Sequence, residues 1–305
     1  MTTPADVPTP GAHHRFVRRF DAHDRVLHGL LMLSFLGLAA TGLPLVFSDA
    51  PWASRMAALL GSFEIAGWLH RVCATLLIIV FAVHLTRLFR RIVGRKDWGV
   101  LWGPYSMVPQ PRDLTDLIGH MRWFVGRGPR PRFDRYTYWE KFDYWAVFWG
   151  MGIIGASGLV LWFPIFFSQF MPGWIFNVAL LIHGEEALLA VGFIFTMHFF
   201  NGHLRPEKFP MDRVIFTGRV SEAELQEERP DEYARLVREG GFERIRTDPP
   251  PDWLVRLGTV IGTIVGAMMI GLINNGLILF GLEFSQQLIA RGGIIILAVA
   301  LSQKR

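Results

Sequence analysis

Five stretches of this chain, near 27–48, 66–89, 145–168, 174–200 and 253–282, are apolar over enough residues to cross roughly 30 Å of hydrocarbon as helices. Polar residues fall between them, in short loops at 48–66 and 164–174, a long loop at 87–141 and a segment from Pro206 to Trp253. Within that segment Ser221 followed by Glu224 reads as a capping box opening a short charged helix to about Gly240, and RTDPPPDW then breaks it. A last apolar run, Gly292 to Leu301, is too short to cross alone and reads as an interfacial or docking tail. The pattern predicts an all-α integral membrane helical bundle. Residues 1–204 form a four-helix core with its loop 90–141, residues 205–252 a soluble segment, and residues 253–305 a fifth transmembrane helix and tail.

Composition agrees with the pattern. Of 305 residues 51% are hydrophobic, 25 are Phe and 11 Trp, and the mean hydropathy is +0.31, too apolar for an ordinary soluble domain. The polar, proline-bearing start MTTPADVPTPGAHH has no apolar run of its own, so no cleaved signal peptide is expected. The 48–66 loop carries only Arg55 and the 164–174 loop no Lys or Arg, whereas twelve lie between Arg87 and Lys141. The positive-inside bias therefore puts the N-terminus, the 87–141 loop and the 205–252 segment in the cytoplasm, with the protein in a bacterial-type inner membrane. The net charge of +5 reflects this topology, and no nucleic-acid motif accompanies it. The single Cys73 excludes disulfides and thiolate clusters within the chain and reads as small core packing.

The candidate chemistry lies in histidines at membrane depth, where polar side chains need an interior purpose. His70 and His84 are fourteen residues apart and His183 and His198 fifteen, roughly 21 to 22 Å along a helix. Fourteen residues return to nearly the same face; fifteen overshoot by about 60°, which a local bulge or a rotated ring would absorb. With alternating spans, His70 and His183 meet at an outer level, and at the inner level His198 meets either His28 or His84. His203, in HFFNGHLRPEKFP, with His84 offers a third arrangement. Two imidazoles per level, among Leu, Ile, Phe and Gly rather than carboxylates or thiolates, favour non-covalent haem over zinc or copper. Gly42 and Gly192 would let a porphyrin approach backbone or simply permit close helix packing. Arg87, Arg90 and Arg91 would hold propionates or anchor the span. Glu185 and Glu186 would hydrogen-bond a ligand imidazole, lead protons outward or remain structural carboxyls. Gly258, Gly262 and Gly266 form a stripe suited to close helix contact with the core, a second copy or a partner.

The stretches RVLHGLLMLSFLGLAATGLPLVF, GWLHR, FWGMGIIGASGLVLWFP, LLIHG, TMHFF and FTGRVSEAELQEERPDEY resemble the cytochrome b subunits of membrane-bound formate dehydrogenases and nickel-iron hydrogenases, over most of residues 15 to 240. Gly218, Val220, Ser221, Pro230 and Tyr233 carry the resemblance into the soluble segment. It implies two b haems, with His70 and His183 at the outer one and His28 and His198 at the inner one, and electron transfer between quinone and a partner such as an iron-sulfur, cytochrome c or other redox subunit. The histidine spacing is also similar to cytochrome b of bc-type complexes, which would pair His84 with His198. By the first resemblance the quinone pocket lies at the start of the third span, where RYTYWEKFDYW supplies Tyr136, Glu140 and Lys141; Glu140 reads there either as a proton acceptor or as an interfacial carboxylate paired with Lys141 or a nearby arginine. The alternatives are a haem-poor anchor or assembly subunit, a proton-relay transporter, or a transmembrane reductase acting on ascorbate or ferric ions.

Overall fold

The computed structural model describes residues 15–205, 208, 209 and 211–279, with backbone alone at 204 and 266–279. Strand β1 (Phe16–Arg18) leads into α1 (Ala22–Val46), which Asp21 caps by accepting from the Asp24 amide at 2.7 Å. The short α2 (Pro51–Leu60) turns the chain into α3 (Phe63–Gly94), capped in the same way by Ser62 and ending in a π-helical turn at Arg90–Gly94. After the surface helix α4 (Pro111–Phe124), α5 (Tyr138–Trp162) runs back, α6 (Pro164–Phe167) turns, and α7 (Trp174–His203) returns. These four long helices, α1, α3, α5 and α7, are each long and apolar enough to span a membrane, and little of their surface is buried within the chain, as expected of lipid-facing walls. The protein is an all-α membrane bundle. The Gly292–Leu301 tail lies outside the described residues.

The third span begins seven residues before the apolar run suggests, at the capping box of Thr137 and Glu140, and ends at Trp162 rather than 168. Glu140, Lys141 and Asp143 lower the hydropathy of that first turn, but each has a partner. Glu140 meets Arg229 at 3.0 Å, Lys141 meets Asp113 at 2.8 Å and Asp143 meets His198 at 3.0 Å. Polar groups satisfied pairwise can open a helix that a hydrophobicity pattern starts later.

The polar segment folds as α8 (Val214–Thr217), β2 (Arg219–Ser221), α9 (Glu222–Glu228), α10 (Pro230–Arg238), α11 (Phe242–Ile245) and β3 (Arg246–Thr247), before α12 (Asp252–Leu279). The single charged helix expected from Ser221 to Gly240 is two helices, because Pro230 lacks the amide needed to continue α9 and instead starts α10. The sequence pattern also gave no sign of strands this short. β1 is central in the order β2-β1-β3, antiparallel to both, with Val17 opposite Val220 and Arg246. Val17, Val214, Val220, Leu225, Leu236 and Phe242 close a small core beneath it, each burial contributing roughly 1.5–3 kcal/mol for the larger side chains.

The residues of FTGRVSEAELQEERPDEY that carry the resemblance acquire a physical reason here. Gly218 has φ +71° and its carbonyl accepts from the amides of Arg19 and Phe20 at 2.8 and 3.2 Å; a Cβ there would stand 2.5 Å from the Phe20 carbonyl. Ser221 Oγ caps α9, and Tyr233 donates to Glu222 at 3.0 Å. The segment thus grips the start of α1. It also grips the 95–137 loop, through Arg112 and Arg132 on Asp231 and Arg235 on Asp134. The N-terminal strand, the long loop and the polar segment therefore share one end of the bundle, called here the polar end. Lys208 is held there by Asp212, Glu224 and Glu228; burial opposes its charge, but the three carboxylates hold its pKa above the usual lysine value.

On α4, His120 stacks on Phe124 at 4.6 Å and its Nδ1 meets the Tyr138 hydroxyl at 3.0 Å. Burial, with Arg130 and Arg205 nearby, pushes this imidazole down to about 4, so it serves as a neutral aromatic tie between α4 and the start of α5. In α12, Gly258 packs on Arg213 and a Cβ at Gly262 would lie 2.6 Å from the Met211 side chain. Two glycines of the stripe therefore seat this chain's own polar segment; the surroundings of Gly266 lie outside the described residues.

Candidate functional site

α1 packs along α3 and α5 along α7, while contacts between the two pairs are sparse. The histidines meet across that division. His70 of α3 faces His183 of α7 with ring centroids 6.2 Å apart and planes at 77°; His28 of α1 faces His198 of α7 at 6.3 Å and 30°. An iron about 2 Å from each ring nitrogen, with those nitrogens about 1.1 Å from their ring centres, sets coaxial imidazoles about 6.2 Å centroid to centroid. Both pairs match that separation. Among the described residues no three His, Cys, Asp or Glu side chains converge as a metal cluster, so each level offers two imidazoles and no more.

The fifteen-residue offset between His183 and His198 is absorbed as expected. A π-helical turn at Ile194–His198 takes up one extra residue and returns His198 to the face His183 occupies.

Hydrogen bonds fix which ring nitrogen is available. The His183 Nδ1 lies 3.0 Å from the Ile154 carbonyl, which can only accept, so Nδ1 carries the proton and Nε2 the lone pair. Ser157 Oγ, which donates to the Ile153 carbonyl at 2.7 Å, adds a second oxygen at 3.3 Å from the same Nδ1. At His70, Thr41 Oγ1 donates to the Gly37 carbonyl at 2.7 Å and accepts from Nδ1 at 3.0 Å. At His198, Asp143 accepts from Nδ1 at 3.0 Å. In all three, Nε2 is left with its lone pair, as an axial ligand requires.

His84 is different. Its Nε2 meets the Tyr144 hydroxyl at 2.8 Å, and its ring lies against Tyr144 and Phe148 rather than His198. Of the two inner partners left open by the sequence, the geometry brings His28 to His198. His203 is buried on the next turn of α7 with its ring 5.1 Å from that of Phe199.

The structure gives Gly42 a neighbour that the sequence does not show and adds Gly158 to it. A Cβ at Gly42 would lie 3.0 Å from the His70 ring and one at Gly158 2.9 Å from the His183 ring, so Gly42 makes room for a ligand imidazole rather than for a porphyrin, and Gly158 does the same on the opposite pair. Gly192 has nothing within 4 Å of where its Cβ would stand. A signal for Thr41, Gly42, Ser157 and Gly158 was present: LAATGLPLVF at 38–47 and IGASGLVLWF at 154–163 repeat one another, hydroxyl followed by glycine in each. Because the His183 ring is tied to Ile154 and Ser157, Gly158→Ala is expected to displace it, and if this imidazole ligates a haem, to weaken that haem's binding about 10- to 100-fold, measured as haem retained through purification.

The other candidates have structural partners. Arg87 pairs with Asp21 and Asp24 at 2.8 and 2.6 Å and Arg91 with Asp97 at 2.7 Å, which makes both anchors of the helix ends. Glu186 accepts from the Trp149 indole at 3.3 Å, and Glu185 is exposed. Cys73 lies where a Cβ on Gly37 would stand, 2.5 Å from its sulfur, a close-packing role between α1 and α3. Glu140 accepts from Thr137 and from Arg229, Lys141 donates to Asp113, and the Arg135 guanidinium lies 5.4 Å from the Tyr136 ring centre.

No family model matches the chain. A 48-residue stretch is 42% identical to the ribose import permease of Bacillus subtilis (strain 168), covering 16% of this chain and 15% of that protein. The chain thus matches about one seventh of the permease's length, too little to carry a permease's activity. The nitrate-inducible formate dehydrogenase cytochrome b556 subunit of Escherichia coli (strain K12) is 20% identical over 169 residues, 55% of this chain and 69% of that subunit. A second formate dehydrogenase cytochrome b556 subunit of the same strain is 22% identical over 178 residues, 57% and 72% of the two chains. The chain is thus distantly similar, over more than half its length, to membrane cytochrome b subunits.

Proposed function

We propose that this chain is a b-type cytochrome subunit of a membrane redox complex, relaying electrons between the quinone pool and a partner redox subunit through two bis-histidine haems. The observation that carries the reading is the pair of imidazole couples, His70 with His183 and His28 with His198, both at axial-ligand separation across the same helix division. A haem b bound at each level would supply one-electron exchange at iron. The chain's own residues hold the rings. Thr41, Ser157, Ile154 and Asp143 fix their tautomers, Gly42 and Gly158 seat them, and the apolar walls exclude water. A haem that His70 with His183, or His28 with His198, would hold between two imidazoles would favour electron transfer over oxygen chemistry.

His84 is not assigned a haem in this reading, nor is a third haem with His203 proposed, since His84 spends Nε2 on Tyr144. The quinone contact is proposed at the start of α5, where Tyr136, Glu140 and Lys141 lie within two turns of Asp143 and the inner pair. Glu140 and Lys141 hold fixed ionic partners, so their part is to shape and charge that edge rather than to shuttle the proton. The polar end is proposed to face the cytoplasm of a bacterial-type inner membrane, by its excess of Lys and Arg. α12 is proposed as the fifth crossing. The partner is a redox subunit of the complex.

The direct test is haem b per polypeptide in the purified complex, by pyridine haemochrome against quantitative amino-acid analysis, followed by reduction with a quinol. Two haems per chain, reduced by quinol, is the expected result. Absence of haem after haem-supplemented expression with the partner subunits would overturn the reading in favour of an anchor.

A further inference from the structure

The two ligand levels are not built alike. At the outer level the described ring partners are neutral oxygens, the Thr41 and Ser157 hydroxyls and the Ile154 carbonyl. At the inner level His198 alone among the four candidate ligands, within the described residues, bonds a carboxylate, Asp143 Oδ2 at 3.0 Å from Nδ1. The Asp143 side chain is 17% exposed and belongs to α5, whereas His28 belongs to α1. It sits one residue before Tyr144, whose hydroxyl is engaged by His84, so the backbone that carries Asp143 is pinned by a second hydrogen bond at 2.8 Å.

Resting on the two-haem reading, we propose that Asp143 is a positioning residue that lowers the reduction potential of the inner haem and leaves the outer one unchanged. The reasoning is electrostatic. A carboxylate accepting the Nδ1 proton draws that proton toward itself and makes Nε2 a stronger donor. A stronger donor and a nearby negative charge both stabilise ferric over ferrous iron. The outer pair, bonded only to neutral oxygens, lacks this contribution. The structure therefore contains a built-in potential difference along the path, set by one carboxylate and independent of the two irons' shared ligand type.

The experiment is spectroscopic redox titration of the purified complex as wild type, Asp143→Asn, Asp143→Glu and His28→Ala. The component missing from His28→Ala identifies the inner haem. In Asp143→Asn, which keeps an acceptor but removes the charge, the midpoint of that component is expected to shift upward while the other stays in place; Asp143→Glu returns it toward wild type. If Asp143→Asn loses one haem, its recovery in Asp143→Glu supports the same role for the charge, and its loss in both variants overturns it. Two haems in Asp143→Asn with both midpoints unchanged also overturns it. These failures are distinct from failure of the functional reading, which would show as wild-type protein lacking the inner component altogether.

Discussion

His28→Ala is expected to lower haem b from two to about one per chain, His70→Ala to do the same with the other haem, and His84→Ala to leave both. The contrast between His28 and His84 is the informative part. Both histidines lie toward the polar end, one on α1 and one on α3, and on spacing alone His84 has the better claim, since it repeats the His70 face after fourteen residues. The geometry reverses that claim. His28 stands 6.3 Å from His198 with planes 30° apart, whereas the Nε2 of His84 is bonded to Tyr144 at 2.8 Å. To ligate, His84 would have to give up that bond and turn its ring out of the Tyr144 and Phe148 contacts. Haem content by pyridine haemochrome, with difference spectra to show which component is lost, checks the set. A haem lost from His84→Ala and retained in His28→Ala would sink the assignment.

Much of this arrangement was legible in the sequence. Helices of twenty or more residues are announced by long apolar runs because each must satisfy its own backbone within hydrocarbon, and the candidate ligand histidines stand out because the membrane tolerates few polar side chains. The one-residue excess between His183 and His198 likewise implied a bulge or a rotated ring, and a π-helical turn at Ile194–His198 is present. What the sequence hid depends on contacts between distant residues. Asp143 and Glu140 look like charges too polar to begin a span, and only the arrival of His198 and Arg229 from elsewhere in the chain shows why they are tolerated. Gly42 and Gly158 look like packing glycines until the ring of a histidine from another helix is placed over each. The strands of two or three residues around Val17 have no period long enough to read; they exist because the polar segment returns to the N-terminus. The repeated hydroxyl-glycine pair at 41–42 and 157–158 is the exception, a signal present in the sequence that an interest in histidine spacing passes over.

Glu232→Gln is expected to cost about 3–5 kcal/mol in local stability at the polar end, the range for removing one partner of a buried ion pair. Glu232 is 1% exposed and takes Arg19 at 2.7 Å on one oxygen and Arg135 at 2.9 Å on the other. The two arginines also bond each other's backbone carbonyls, Arg135 to that of Arg19 at 2.6 Å and Arg19 to that of Arg135. One carboxylate from α10 thus joins the residue that leads into α1 to the residue that leads into α5. With a neutral amide in its place, two buried guanidinium groups face each other with only Glu140, already paired with Arg229, acting on Arg19, and desolvation that the triad had offset becomes a net penalty. Hydrogen exchange at the Val17 and Val220 amides is expected to quicken by about two to three and a half powers of ten, since each 1.4 kcal/mol is about tenfold. The functional consequence follows from what the two leads carry. His28 lies nine residues after Arg19 and Asp143 eight after Arg135, so loosening the clamp frees both groups that define the inner level, while Thr41, His70, Ser157 and His183 sit far along their helices from it. The variant should therefore keep the outer haem and lose occupancy at the inner one. Equal loss of both haems would mean that the triad supports the whole bundle instead, and unchanged exchange rates would mean that water reaches the arginines and the burial argument fails.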